Sequence, residues 1–366
     1  MWPNHRLLPI PSSRAHRAPC WRSRGRARRS GRTAWLRVHQ RRATRPDHSP
    51  VEQREGRGHR SSSSEHGGNG CRPLANANRE PSSLRERGLR MSSYQGPVTD
   101  DHFHLRRDGR CIAAAEDFAR AGGTDLVLVH CPDFAAPPTD EAGHRAAYAD
   151  TIAMAEEVRA SVGLGVRVVL GPHPAAFAHQ FEAWSVEGEA GRARAVEAYT
   201  ASIDAAVAFI DEGKAHAVGE VGRPHWPVSE DIWDLSNELL AWTMRRAGRE
   251  GFALQLHVEG EQASTYPELA DMADREGCPR DRIVRHYAPP DVSASSTHGL
   301  IPSVLCGKGA LPVLLETMDD ARQGFMLETD HMDDPARPGA VLGPKTVPKR
   351  TRQLSEAGVD DEVLYR

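Results

Sequence analysis

Eight short apolar runs recur between residues 96 and 332, each followed by a stretch of helix-like spacing. In order they are GPVTDDHFHL (96–105), TDLVLVHCP (124–132), VRVVLGPHP (166–174), AHAVGEVGRPH (215–225), FALQLHVEG (252–260), DRIVRHYAPP (281–290), GLIPSVLCGK (299–308) and GFMLETDHM (324–332). Several are near-continuous Val, Leu and Ile, as expected of strands buried on both faces of a parallel sheet. Helical patterns fall at 140–161, 194–212, 229–250, 261–276 and 309–322, with Ser229 placed to cap the third. The connection between runs six and seven is too weak for a full helix. This size and rhythm predict a (β/α)8 TIM barrel over about 96–350. A doubly wound open sheet would place a Gly-rich phosphate loop after its first strand, where HFHL stands instead. Residues 351–366 read as a C-terminal helix or tail.

The formal net charge of −3 conceals two kinds of polypeptide. Residues 1–95 hold 21 Arg, no Lys and 6 acidic residues, whereas the remaining 271 hold 26 basic and 44 acidic side chains. The first 90 include SSSSEHGGNG and show no apolar periodicity. They cannot bury enough apolar surface to offset the entropy of ordering, so a disordered basic segment is expected. Arg without Lys suggests upstream DNA translated past the true start, with MSSYQGPVTDDHFHL at Met91 reading as the natural N-terminus. The alternatives are a basic arm that binds nucleic acid and a transit peptide. The acidic remainder repels itself at ordinary ionic strength and points to a cytoplasmic protein of a salt-accumulating halophile; an ordinary acidic enzyme is the alternative. No apolar run approaches the roughly 18 residues of a membrane span. The six cysteines form no CxxC pair and read as reduced thiols.

One His-x-His, such as His102 and His104, is more often structural than metal-binding. The strand ends taken together say otherwise. Barrel chemistry sits at the C-terminal ends of the strands. There the runs end in His102 and His104, His173, Glu220, His257, His286 and Asp330. A ring of imidazoles and carboxylates at one rim is best explained as a metal site. So many donors exceed the needs of one tetrahedral ion and suit two divalent ions, drawn from Zn, Mn, Mg, Ni or Fe, with Glu220 as the natural bridge. Such a pair activates a water, and Asp330 is placed to take its proton.

DDHFHL, LGPHP, VGEVG, LQLHVE, RHYAPP and LETDHMDDP, in that order, resemble the TatD-type metal-dependent hydrolases of the amidohydrolase superfamily. GEVGRPHW and DDPARPGAVLGPKTVPKR are similar to an archaeal branch of that group. The resemblance implies one metal held by His102, His104, Glu220 and Asp330, and a second by Glu220, His257 and His286. It also implies phosphodiester hydrolysis of the deoxyribonuclease kind. The chain departs from the nucleases of the group in three loops. Arg223-Pro224 replaces Leu-Asp, YAPPDVS replaces a Phe-Ser/Thr-Gly loop, and His331-Met332-Asp333-Asp334-Pro335 replaces Ser/Thr-Pro. The donor set is kept while the substrate walls change.

Five further residues are candidates for substrate binding. Arg223 either clamps an anion bidentately or holds its loop through an ion pair with Asp333 or Asp334. His225 either protonates a leaving group or is merely exposed. His173 orients substrate or solvent rather than binding metal. Lys308 ends strand seven. Lys345 lies either on a closing loop or on a turn into a last helix capped by Thr346. His130 and Cys131 line the second strand's end. The acidic exterior disfavours a processive nuclease, because phosphate binding draws on Lys and Arg, but permits trimming of nucleic-acid ends. The runner-up is a small-molecule hydrolase of amides, lactones or phosphoesters. A non-catalytic metal- or nucleic-acid-binding protein is the reading from another class. No membrane and no obligate protein partner are expected.

Overall fold

The computed structural model describes residues 94–260 and 263–365. The basic segment 1–90 and the start at Met91 lie outside them. Eight parallel strands form one sheet in sequential order: β1 (Thr99–Phe103), β2 (Asp125–Val129), β3 (Gly165–Leu170), β4 (Ala217–Gly222), β5 (Ala253–His257), β6 (Ile283–Ala288), β7 (Ile301–Leu305) and β8 (Met326–Glu328). The chain beyond β8 returns to β1, where His104 N–H donates to the His331 carbonyl at 2.9 Å and Phe103 bridges His331 in parallel. That contact closes the (β/α)8 barrel predicted from the sequence.

The helices are α1 (Ile112–Arg120), α2 (Glu141–Val162), α3 (Pro174–Ser185), α4 (Glu189–Asp211), α5 (Glu230–Glu250), α6 (Thr265–Glu276), α7 (Ala294–Thr297), α8 (Ala310–Thr317), α9 (Thr346–Glu356) and α10 (Asp361–Tyr365). Their ends follow local chemistry. Asp140 caps α2 by accepting the Gly143 N–H at 2.8 Å, and Gly163, Gly251 and Gly277 end α2, α5 and α6 in left-handed conformation. Ser229 is the N-cap residue of α5, but its side chain makes no capping bond. Between β6 and β7 only the four-residue α7 forms. Helix α9 begins with Lys345, not Thr346, at its cap. No described helix is long and apolar enough to cross a membrane.

Strand alternation sorts the apolar side chains. Leu126 and Leu128 of β2 join the main core with the helices, while Val127 and Val129 join a separate cluster with Val169, Ala217 and Ala253. A third cluster holds Val284, Ile301 and Met326. Buried Asp101, Gln255, Arg285, Ser303 and Glu328 make the strands far more polar than a plain hydrophobic barrel.

Three strands carry a one-residue slip in register. β1 slips against β2 between Asp100 and Phe103, β4 against β5 between Val218 and Val221, and β6 against β7 between Arg285 and Ala288. These intervals contain His102, Glu220 and His286. A bulge turns a side chain away from the regular alternation, and such bulges gather at functional rims. Close packing fixes the middle one: a Cβ on Gly171 would lie 2.9–3.0 Å from backbone atoms of Gly219.

Gly171→Ala is therefore expected to destabilise the fold by roughly 1–3 kcal/mol, as overpacking does. Gly309→Ala, where a Cβ meets nothing within 4 Å, should be near neutral in the same thermal melt. Below β4, His216 accepts the Val168 N–H on Nδ1 at 3.1 Å, and burial lowers its imidazole to about 4. Its folded value lies below the ordinary 6.5, so its contribution is present above that pH and fades as the pH falls towards 4. His216→Gln should lower the melting temperature at pH 7.5 and flatten its decline between pH 6.5 and 4.

Candidate metal centre

Glu220 stands at the centre of the C-terminal rim, almost wholly buried. Its two oxygens face different imidazoles. Oε2 lies 3.7 Å from Nε2 of both His102 and His104. Oε1 lies 2.7 Å from His257 Nδ1, 3.6 Å from His286 Nε2 and 3.7 Å from His173 Nε2. Asp330 joins the first side, with Oδ1 3.6 Å from His104 Nε2 and 3.9 Å from His102 Nε2. His102 and His104 bring their Nε2 atoms within 3.0 Å of each other, and His102 stacks on His286 with ring centroids 3.6 Å apart. Every metal ligand expected from the strand ends is thus in one place.

Local contacts decide which nitrogens are free to ligate. His104 donates its Nδ1 hydrogen to the Val129 carbonyl at 3.0 Å, leaving the Nε2 lone pair turned to the cluster. His173 does the reverse. It caps α3, and its Nδ1 accepts the Ala175 N–H at 3.0 Å, so the neutral ring carries its hydrogen on Nε2, towards Glu220. His173, Glu220 and His257 group as closely as a ligand set, yet His173 lacks the lone pair that ligation needs. Its chemistry is that of a hydrogen-bond donor. His257 Nδ1 and Glu220 Oε1 form a hydrogen bond in this arrangement, and the same two atoms can share a cation. On its other nitrogen His257 meets His225 Nδ1 at 2.6 Å.

Protonation states favour ligation. Burial, then the neighbouring His286, lowers the His102 imidazole, and burial lowers His286 to about 4, so both are neutral lone-pair donors. Burial alone would raise Glu220, but the imidazoles of His173, His102 and His257 outweigh it and hold the carboxyl well below its usual range. Asp330 is likewise lowered: burial opposes ionisation, while the His104 hydrogen bond and the His286 and His102 imidazoles prevail. The neutral imidazoles of His102 and His286 beside two ionised carboxylates fit divalent Zn, Mn, Ni or Fe, and His104, raised against the effect of burial by the Asp330 hydrogen bond and the Glu220 charge, would exchange its proton for a metal. The set fits two ions as well as one, because His102, His104 and Asp330 group separately from His286 and His257 around the shared Glu220.

A supporting layer lies below. Asp100 Oδ1 accepts the Thr329 N–H at 2.7 Å, tying β1 to the turn that carries Asp330 in a left-handed backbone with φ 45°. Glu328 Oε1 accepts the Tyr287 N–H at 3.0 Å and lies 2.8 Å from His286 Nδ1, although out of line for a good hydrogen bond. Burial pushes Glu328 up to about 8. Neither residue was singled out from the sequence. Each sits two positions before a donor, Asp100 before His102 and Glu328 before Asp330, and that spacing was the available signal.

Two of the expected substrate contacts are engaged elsewhere. Arg223 is buried, bonds both Glu259 oxygens, reaches Glu268 at 2.8 Å and Asn237 at 3.0 Å, and lies over the Trp233 ring. It ties the β4 and β5 loops together instead of facing a substrate. The ion-pair alternative for Arg223 was right in kind but wrong in partner. Asp333 accepts the backbone N–H groups of Arg106, Arg110 and Cys111, and Asp334 pairs with Arg337. Lys345 pairs with Asp117 of the outer helix α1 at 3.1 Å, away from the donors. Lys308 is exposed after β7, and His225 is exposed beside His257. His130 bonds Thr151 at 2.8 Å and, with His173, Tyr148 and Gln180, lines a cavity beside the donors. Cys131 is raised to about 12 by burial and then by the Glu220 charge, and Cys111, Cys131 and Cys278 are free thiols.

A closed (β/α)8 barrel with clustered His, Glu and Asp donors at the C-terminal rim defines a metal-site barrel. Residues 99–365 match the family model described as TatD related DNase, and the chain belongs to that family. An uncharacterized protein of Methanocaldococcus jannaschii is 32% identical over 276 residues, covering 74% of this chain and 92% of that protein. A TatD-like protein of Archaeoglobus fulgidus is similar in structure, with TM-score 0.43 and 14% identity over 71% of this chain and 91% of its own. An uncharacterized amidohydrolase from Saccharomyces cerevisiae gives TM-score 0.44 and 9% identity over 74% and 97%.

Metal titration checks the assignment. Glu220→Gln keeps the side chain's shape and removes its charge, so it should strip metal from both sides of the cluster in Zn or Mn competition with a chelator. Glu328→Ala removes the oxygen that accepts the Tyr287 N–H beside His286 and should weaken uptake about 10- to 100-fold, as loss of a ligand's supporting partner does.

Proposed function

We propose that the chain is a metal-dependent phosphodiesterase that trims nucleic-acid ends. The observation that carries this reading is the division of Glu220, with one oxygen towards His102 and His104 and the other towards His257 and His286. Metal ions bound there would acidify a water and polarise the phosphoryl oxygen. His102, His104, Glu220 and Asp330 would hold one, and Glu220, His257 and His286 the other.

The remaining roles belong to the side chains. Asp330 is the proton acceptor: its side chain is 15% exposed against 2% for Glu220, so its carboxylate alone of the two is open to an entering water. His173 presents an Nε2 hydrogen beside Glu220 and orients the substrate oxygen or the water. His225, hydrogen-bonded to His257 and lowered by burial and then by that imidazole, is neutral and hydrogen-bonds the leaving group rather than protonating it. Lys308, exposed after β7, is the basic side chain left to meet a substrate's negative charge. A long nucleic-acid track is disfavoured because Arg223 and Lys345 are committed to internal ion pairs. The same fact supports a second reading, hydrolysis of a small phosphoester or amide that needs no extended basic groove.

End-labelled single-stranded DNA incubated with residues 91–366 and Mn, Mg or Zn in concentrated KCl tests the proposal. Shortening of the strand is expected, with Asp330→Asn reducing the rate at least ~100-fold. A metal-loaded protein that leaves DNA intact but cleaves small esters or amides would replace the first reading with the second.

A further inference from the structure

Rings beyond the donor set surround the β2–β4 side of the centre. Phe134 meets His173 edge to face with centroids 5.3 Å apart, and His179 at 6.4 Å. His179 continues to Trp226 at 6.2 Å, and Trp226 to His225 at 5.2 Å. His225 and His173 both return to His257, at 4.8 and 4.5 Å. The six rings form a closed circuit of contacts. Its inner half, His173, His257 and His225, lies at the donors. Its outer half comes from three separate segments: Phe134 from the β2–α2 loop, His179 from α3 and Trp226 from the β4–α5 loop.

Folding accounts for only one side of the outer half, where Trp226 packs against the main core. Phe134 is 38% exposed, His179 is exposed and Trp226 is half-buried. The other large hydrophobics exposed among the described residues, Val186, Leu315 and Tyr365, lie on or beside outer helices, away from the donors. An aromatic face left in water adds little to stability but offers a planar ring a surface on which to stack.

We propose that Phe134, His179 and Trp226 form a stacking wall for the base of the nucleotide next to the cleaved phosphodiester at a strand end. The proposal rests on the phosphodiesterase reading and names its substrate contact. Stacking is indifferent to base identity, because every base has a π-face. It also supplies binding that the surface charge cannot, since the rim's Arg223 is tied to Glu259 and Glu268. With the base against the wall, the adjoining phosphate falls over Glu220, whose Oε1 is reached by His173 and His257 of the same circuit.

The test uses two end-labelled single strands with Mn. One ends in an ordinary nucleotide, and the other carries a tetrahydrofuran abasic residue in its place. Wild type should favour the base-bearing end by about five- to a hundredfold in kcat/KM, mostly through KM. Phe134→Ala should lose most of that preference, slowing the base-bearing strand far more than the abasic one, and Phe134→Tyr should keep it. A terminal 2-aminopurine should be quenched on binding to Asp330→Asn, and not when Phe134→Ala is added. Equal cleavage of both strands by wild type overturns the wall, as does a variant that slows both alike. Cleavage of neither strand by metal-loaded wild type overturns the phosphodiesterase reading, and the wall falls with it.

Discussion

One buried carboxylate organises this molecule. A charge as deeply enclosed as that of Glu220 is costly unless partners surround it. Here the partners are imidazoles from β1, the β3–α3 junction, β5 and β6. Glu220 needs them to stay ionised, and they need its charge and that of Asp330 to converge without a protein cation between them. A constellation that makes poor sense as a purely structural core makes good sense as a receptacle for divalent ions.

Placing that carboxylate takes most of the fold's irregularity. The register slips fall on β1, β4 and β6 around His102, Glu220 and His286, three of the residues that must meet. A regular strand points alternate residues in and out at a fixed angle; a bulge changes that angle without moving the strand. Gly171 and Gly219 allow β3 and β4 the close approach required beside Glu220. The layer below, Asp100 on the Thr329 amide and Glu328 on the Tyr287 amide, then fixes the turns that carry Asp330 and His286.

The surroundings of the centre are poorer in free positive charge than the sequence suggested. Arg223 joins the β4 and β5 loops with Glu259, and Lys345 anchors the start of α9 to α1. What the rim offers a substrate in their stead is largely aromatic, running from His257 out to Phe134 and Trp226.

Much was determined by the sequence alone. Apolar runs alternating with helical spacing specify strand and helix by period, and eight such units leave a barrel as the compact solution. Because the rim of a barrel is the set of strand ends, His102, His104, Glu220, His257, His286 and Asp330 could be named in advance. Short-range pattern cannot say which long side chain reaches which neighbour across strands. Arg223 therefore had several acidic candidates, and only packing chose Glu259 over Asp333. The tautomer that makes His173 a donor depends on the cap it forms on α3. The circuit through Phe134, His179 and Trp226 joins residues of three segments that no periodicity connects. Those decisions belong to the tertiary structure, since they turn on distances between atoms that are far apart in the chain.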